Sequence, residues 1–183
     1  MRDAFWVFAY GSLMWRPGFP VAETQPATVY GYHRAMCIWS RHYRGTPRRP
    51  GLVLGLDRGG SCHGLALRVV EPRVKAVLAY LHRRELRGGD VYHPRTLQAV
   101  LDNGRRVSAY AFVANRDNAE YARRMPAERI ARIICGATGS TGTNRDYLAN
   151  TVAHLDEMCL CDRPLRHLLK LVDRTKKRAR AIG

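Results

Sequence analysis

Apolar and aromatic positions in the first part of the chain fall in short runs broken by glycine and proline. Phe5-Trp6-Val7-Phe8-Ala9 is closed by Tyr10-Gly11-Ser12, and Val29 to Trp39, Leu52 to Leu56 and Leu65 to Val70 follow. Runs of this length, rich in β-branched and aromatic residues and punctuated by turn formers, predict strands. Further on, Thr96 to Leu101 and Arg105 to Ala114 flank Asp102-Asn103-Gly104. That sequence predicts a β-hairpin, because Asn and Gly accept the positive φ such a turn demands.

Helical spacing takes over in the gaps and in the last third. After Pro72, the residues Val74, Leu78, Leu81 and Glu85 recur at one-helix-face spacing, so a carboxylate continues an apolar stripe. Pro126 to Cys135 reads as a helix with Pro126 at its first position, Ile130, Ile133 and Ile134 on one side and Gly136 as its stop. Asn144 reads as an N-cap, with Asp146 in the first turn and a face of Tyr147, Leu148, Thr151, Val152, Leu155 and Met158. A last helix spans Pro164 to about Arg174, using Leu165, Leu168, Leu169 and Val172. With no internal repeat and no interdomain linker, residues 1–183 read as one α+β domain. Its mostly antiparallel sheet is curled or closed, with helices packed on it, and 174–183 form a basic, solvated helix end or frayed tail.

Charge changes the picture next. Lys and Arg number 31 against 15 Asp and Glu, a formal net charge of +16, which invites a nucleic-acid reading. The cations are spread along the chain, and no recognised binding motif accompanies them. Nucleic acid is therefore not the expected partner, whereas a positive field equally steers a small anionic substrate. No apolar run reaches the roughly 20 residues that cross a bilayer, which predicts no membrane association and a cytoplasmic location. Cys37, Cys62, Cys135, Cys159 and Cys161 are scattered and odd in number, as expected of reduced thiols. His154, Cys159, Cys161 and His167 match no usual zinc spacing, and the nucleotide-binding glycine fingerprints are missing, so neither a metal nor another cofactor is expected. The oligomeric state is left open.

Two places could carry chemistry. Tyr10-Gly11-Ser12-Leu13 ends a strand in a turn whose backbone N–H groups could hold an oxygen anion; the plainer reading is a strand-ending turn under a packed tyrosine. Glu85, on the buried side of a helix and near its negative end, has its pKa pushed up toward the range of a general base. Arg83, Arg84 and Arg87 would pull it down if they face it, and Arg84 next to Glu85 reads equally as a surface ion pair. Ser12 as a hydrolase nucleophile lacks the Gly-x-Ser-x-Gly elbow.

Four ordered motifs then carry a resemblance over about Phe5 to Val172. They are Trp6-Val7-Phe8-Ala9-Tyr10-Gly11-Ser12-Leu13-Met14-Trp15; Trp39-Ser40 with Arg44-Gly45-Thr46-Pro47 and Pro50-Gly51; Tyr80-Leu81 with Arg84-Glu85; and Gly142-Thr143-Asn144 with Tyr147-Leu148. Together they resemble the ChaC family of γ-glutamylcyclotransferases. The resemblance implies a small β-barrel or curled sheet with surrounding helices. It also implies cofactor-free conversion of glutathione to 5-oxoproline and cysteinylglycine. It assigns Glu85 as catalytic acid/base, Tyr10, Gly11, Ser12 and Leu13 as the substrate loop bordered by Val7, Phe8 and Ala9, Tyr147 as a pocket tyrosine, and Ser40, Arg44 and Thr46 as further lining. Ala9 stands where the family commonly has Gly, and Arg87-Gly88-Gly89-Asp90-Val91-Tyr92 differs from the shorter family versions, which bears on the pocket edge. Competing readings are a cyclotransferase for other γ-glutamyl amino acids or amines, and a non-enzymatic basic nucleic-acid-binding protein.

Overall fold

The computed structural model describes residues 4–86 and 89–182, the last four of these by backbone alone. The chain forms two compact units, Met1–Arg34 with Gly55–Asn118, and Ala35–Leu54 with Ala119–Gly183.

The first unit is built on a closed barrel. The strands are β1 (Trp6–Ala9), β2 (Val21–Ser40), whose residues after Arg34 belong to the second unit, β3 (Gly51–Val69), whose residues before Gly55 do so too, β4 (Tyr92–Leu101) and β5 (Arg106–Ala114), in the order β1-β3-β2-β4-β5. β1 lies antiparallel to β3 and parallel to β5, with Trp6 opposite Ala109 and Val7 opposite Tyr110, and this parallel pair closes the ring. Side chains alternate across a strand, so Trp6 and Phe8 enter the barrel beside Val29, Leu56 and Leu101. Small residues on facing strands, Ala66, Ala99, Ala109 and Ala111, leave room for those rings. The β4–β5 hairpin turns through Asp102-Asn103-Gly104 with Gly104 at φ 82° and the Gly104 N–H donating to Leu101 O. The positive φ is the reason for glycine there.

Strand boundaries differ from the sequence pattern in β2, in β3 and in β4, which begins at Tyr92 and not at Thr96. Leu52 to Leu56 and Leu65 to Val69 are parts of one strand, β3, with Val70 just beyond it, and Gly59 and Gly60 take positive φ inside the strand instead of reversing the chain. Their exposed stretch is held by His33 Nδ1, 2.9 Å from Gly59 O, and by Arg116 Nε on Asp57 Oδ1 at 2.7 Å. β2 likewise begins well before Val29, its early residues alternating between half-buried and exposed.

A 3₁₀ turn at Glu71–Arg73, carrying Pro72, leads into helix α1 (Val74–Glu85). Val77 and Leu81 are its buried residues, in register with Glu85. At the far end of α1, His82 Nε2 lies 2.6 Å from the Tyr110 hydroxyl of β5, with Phe112 edge-on to the imidazole, which fixes the last turn of the helix to the barrel.

The second unit holds α2 (Ala127–Gly136), a two-residue ribbon of β6 (Thr138–Gly139) and β7 (Gly142–Thr143), α3 (Asn144–Glu157) and α4 (Arg163–Ile182). Pro126 precedes α2 as its N-cap instead of forming its first turn. α4 continues past Arg174 because Thr175 to Ala179 contains no helix breaker, and Arg174, Lys176, Lys177 and Arg178 are exposed along it. Among the described residues no helix is long and apolar enough to cross a membrane.

Candidate active site

The end of β1, the turn after it and the end of α1 meet in the first unit. Val7, Phe8 and Ala9 are fully buried. The Phe8 ring fills the barrel, so what these residues can offer a ligand is backbone. The chain then turns helically: Met14 N–H donates to Gly11 O at 2.9 Å and Arg16 N–H to Ser12 O at 2.8 Å. Leu13 and Met14 are buried and anchor the turn, while Ser12 is exposed.

Three devices hold this turn. The buried Arg34 donates from Nε to Tyr10 O and from a terminal nitrogen to His63 O, joining β2 to the end of β1 and to β3. Gly64 gives β3 its close approach, since a Cβ there would stand 2.4 Å from Ala9 O and 2.8 Å from the Phe8 ring. Gly18, at φ 74°, lets the Tyr80 hydroxyl sit where any side chain would be.

Arg84 is the remaining link. Its guanidinium donates to Ser12 Oγ at 2.9 Å, Arg16 O at 2.6 Å and Tyr80 Oη at 2.9 Å, and its Nε lies 3.2 Å from Glu85 Oε1. The ion pair expected as a surface feature is therefore real but set back from water, with the Glu85 side chain 21% exposed. Burial drives the Glu85 pKa above the ordinary carboxylate range, and the adjacent Arg84 opposes this without cancelling it. Arg83 is exposed, and Arg87 and Gly88 lie outside the described residues. The Ser12 hydroxyl oxygen accepts from Arg84.

The residues from the other motifs cluster in the second unit. The Tyr147 ring lies under the Arg44 guanidinium, 5.2 Å from centroid to Cζ, and its hydroxyl accepts from Leu54 N–H at 3.2 Å. Arg44 is pinned by Thr141 O at 2.7 Å, and its own N–H donates to the buried Ser40 hydroxyl at 3.0 Å. Thr46 closes its own turn, accepting from Arg49 N–H.

Asn144 is not a cap. Thr143 caps α3, its hydroxyl accepting from Asp146 N–H at 3.0 Å, and the fully buried Asn144 side chain instead bonds both Leu52 N–H and Leu52 O at 2.7 Å. The carboxamide completes the edge of β3 as another strand would. Cys159 and Cys161 occupy the turn between α3 and α4, not a helix, with Cys159 at φ 56°. Among the described residues no group of His, Cys, Asp or Glu could hold a metal. Arg84 and Tyr80 are the residues whose part the sequence understated; their signal was the four-residue spacing that stacks them on one face of α1.

Among the described residues, a five-stranded mixed barrel with four helices defines an α+β fold of the cyclotransferase class. The crystal structure of a yeast γ-glutamyl cyclotransferase specific to glutathione superposes with a TM-score of 0.82 at 21% identity, covering 95% of this chain and all of that one. The family model described as ChaC-like protein matches residues 5–176, and the chain belongs to that family. A glutathione-specific γ-glutamylcyclotransferase of Escherichia coli (strain K12) is 38% identical over 164 residues, 90% of this chain and 71% of the relative. The human glutathione-specific γ-glutamylcyclotransferase 1 is 33% identical over 174 residues, 93% of this chain and 78% of the relative.

Proposed function

We propose that this protein is a glutathione-specific γ-glutamylcyclotransferase, releasing 5-oxoproline and cysteinylglycine, with Glu85 as its acid/base group. The observation that carries the role of Glu85 is its carboxylate: part-buried, raised in pKa and tied through Arg84 to the turn that ends β1. Family membership and the names of the relatives support the substrate.

The reaction needs no enzyme nucleophile. The substrate's α-amine attacks its own γ-carbonyl carbon, a C–N bond forms in a five-membered lactam, and the C–N bond to cysteine breaks. Glu85 takes the proton from the α-ammonium and returns one to the departing amine, for which a raised pKa suits a single carboxyl group. Binding the substrate folded makes the attack intramolecular. The first N–H groups of a helical turn have no partner inside it, and we assign those of Gly11, Ser12 and Leu13 to the substrate α-carboxylate or the developing oxyanion. Tyr147, Ser40, Arg44 and Thr46 are assigned to substrate binding. No cofactor takes part in these steps, and five cysteines, scattered and odd in number, fit a reducing, cytoplasmic setting.

The test is incubation of purified protein with reduced glutathione and, separately, γ-glutamyl-alanine, following 5-oxoproline by mass spectrometry. Glutathione alone should yield product, and Glu85→Gln should lose roughly 10² to 10⁴ in turnover while remaining folded. Near-normal turnover in folded Glu85→Gln removes the base assignment, and equal turnover of both substrates widens the substrate class. Tyr147→Phe should lose less than Glu85→Gln, and unchanged KM and kcat would remove Tyr147 from substrate binding.

A further inference from the structure

We propose that Arg84 is a positioning residue: one guanidinium locks the turn carrying Gly11, Ser12 and Leu13 to the end of α1 and holds the Glu85 carboxylate in register with it. The inference rests on the reading of Glu85 as acid/base group and adds to it what aligns that group with the substrate loop.

The contacts divide by nitrogen. One terminal nitrogen donates to Ser12 Oγ, the other to Arg16 O and Tyr80 Oη, and Nε faces Glu85 Oε1. The planar fork of arginine can serve both partners at once, and the point charge of a lysine cannot. The group is also braced from behind. Tyr80 stands one turn before Arg84 on α1, its hydroxyl fills the space left by Gly18, and Phe19 packs edge-on to its ring. The loop's N–H groups and the carboxylate thus share one mechanical reference, the last turn of α1, which His82 fastens to Tyr110 of β5.

The same placement gives Arg84 an electrostatic effect on Glu85. Burial raises the Glu85 pKa and Arg84 lowers it. Among the described residues of this turn, His82 faces Tyr110 of β5 and Arg83 is exposed, and the loop presents Arg84 with hydroxyl and carbonyl oxygens. Removing the Arg84 charge leaves burial unopposed. The Glu85 carboxyl then holds its proton to higher pH, and the acid limb of kcat/KM moves up.

Arg84→Gln, Arg84→Lys and the control Arg83→Gln separate these effects in steady-state kinetics with glutathione across pH. Arg84→Gln should raise KM roughly tenfold, as expected for losing hydrogen bonds made by a charged group, and move the acid limb to higher pH. Arg84→Lys keeps the charge and loses the fork, so KM rises while the limb stays in place. Arg83→Gln should change neither. Wild-type KM and limb in Arg84→Gln, or equal shifts in Arg83→Gln, overturn the proposal. Should Arg84→Gln fail to fold, Arg84→Lys and Ser12→Ala decide it: both should raise KM with the limb unmoved, and wild-type KM in both overturns it. Failure of the underlying reading looks different, as turnover by Glu85→Gln and a wild-type profile without an acid limb. That result overturns the Glu85 half of the role, while KM in Arg84→Lys still decides the loop half.

Discussion

Glu85 is a carboxylate subject to two opposed influences, and burial is the larger. Its folded pKa exceeds the unfolded value, so the folded state binds the proton more tightly. The stabilisation this gives is full below the ordinary glutamate range and is lost as pH rises through the raised pKa. Above that window the ionised group weighs against folding. Glu85→Gln should therefore have a Tm at pH 7 to 8 no lower than wild type, with any advantage shrinking at acid pH, in parallel thermal melts. A large loss of Tm at pH 8 would show that the Arg84 ion pair outweighs burial. Periodicity alone placed Glu85 on the buried stripe of α1, because a one-sided apolar pattern includes whatever occupies its next position. It could not tell whether Arg84 faced the carboxylate, since neighbours in a helix diverge by about 100° and long side chains return by routes that only packing decides.

At the scale of elements, the β4–β5 hairpin and the cores of all four helices were legible because local chemistry specifies them: a turn glycine, a proline start, an apolar face. The unbroken β3 was not. Gly59-Gly60 has the composition of a turn, and what holds it in the strand are two partners distant in sequence, His33 on Gly59 O and Arg116 on the neighbouring Asp57. Asn144 misled for a similar reason. A cap and a strand clamp need the same side chain, and only the proximity of Leu52 distinguishes them. Asn144→Ala should strand two buried backbone groups and cost about 2 to 4 kcal/mol in urea unfolding. A loss below about 1 kcal/mol, the scale of a simple cap, would favour the cap role. Gly64→Ala, forcing a Cβ onto Ala9 O, should destabilise by about 1 to 3 kcal/mol and lower activity through the displaced turn.

For the whole molecule, composition was informative about field and silent about site. A net charge of +16 attracts any anion. With glutathione as substrate, kcat/KM should fall several-fold between about 0.02 and 0.5 M salt as the field is screened, chiefly through KM. Salt independence would mean that the surface charge has no part in capture.

The parallel contact between β1 and β5 also sets an order of events in time. Trp6 meets Ala109 and Val7 meets Tyr110, roughly 100 residues away along the chain, so closing this loop carries one of the largest entropic penalties in the fold. Contacts of such long range form late, after local hairpins and helices. The turn bearing Gly11, Ser12 and Leu13 hangs directly from β1, and it gains its final position only when that strand docks. In a refolding experiment, recovery of turnover should follow the slowest change in Trp6 burial and lag the helical signal. On the proposed assignment of that turn to the substrate, a growing chain has no competent site until β5 has been made.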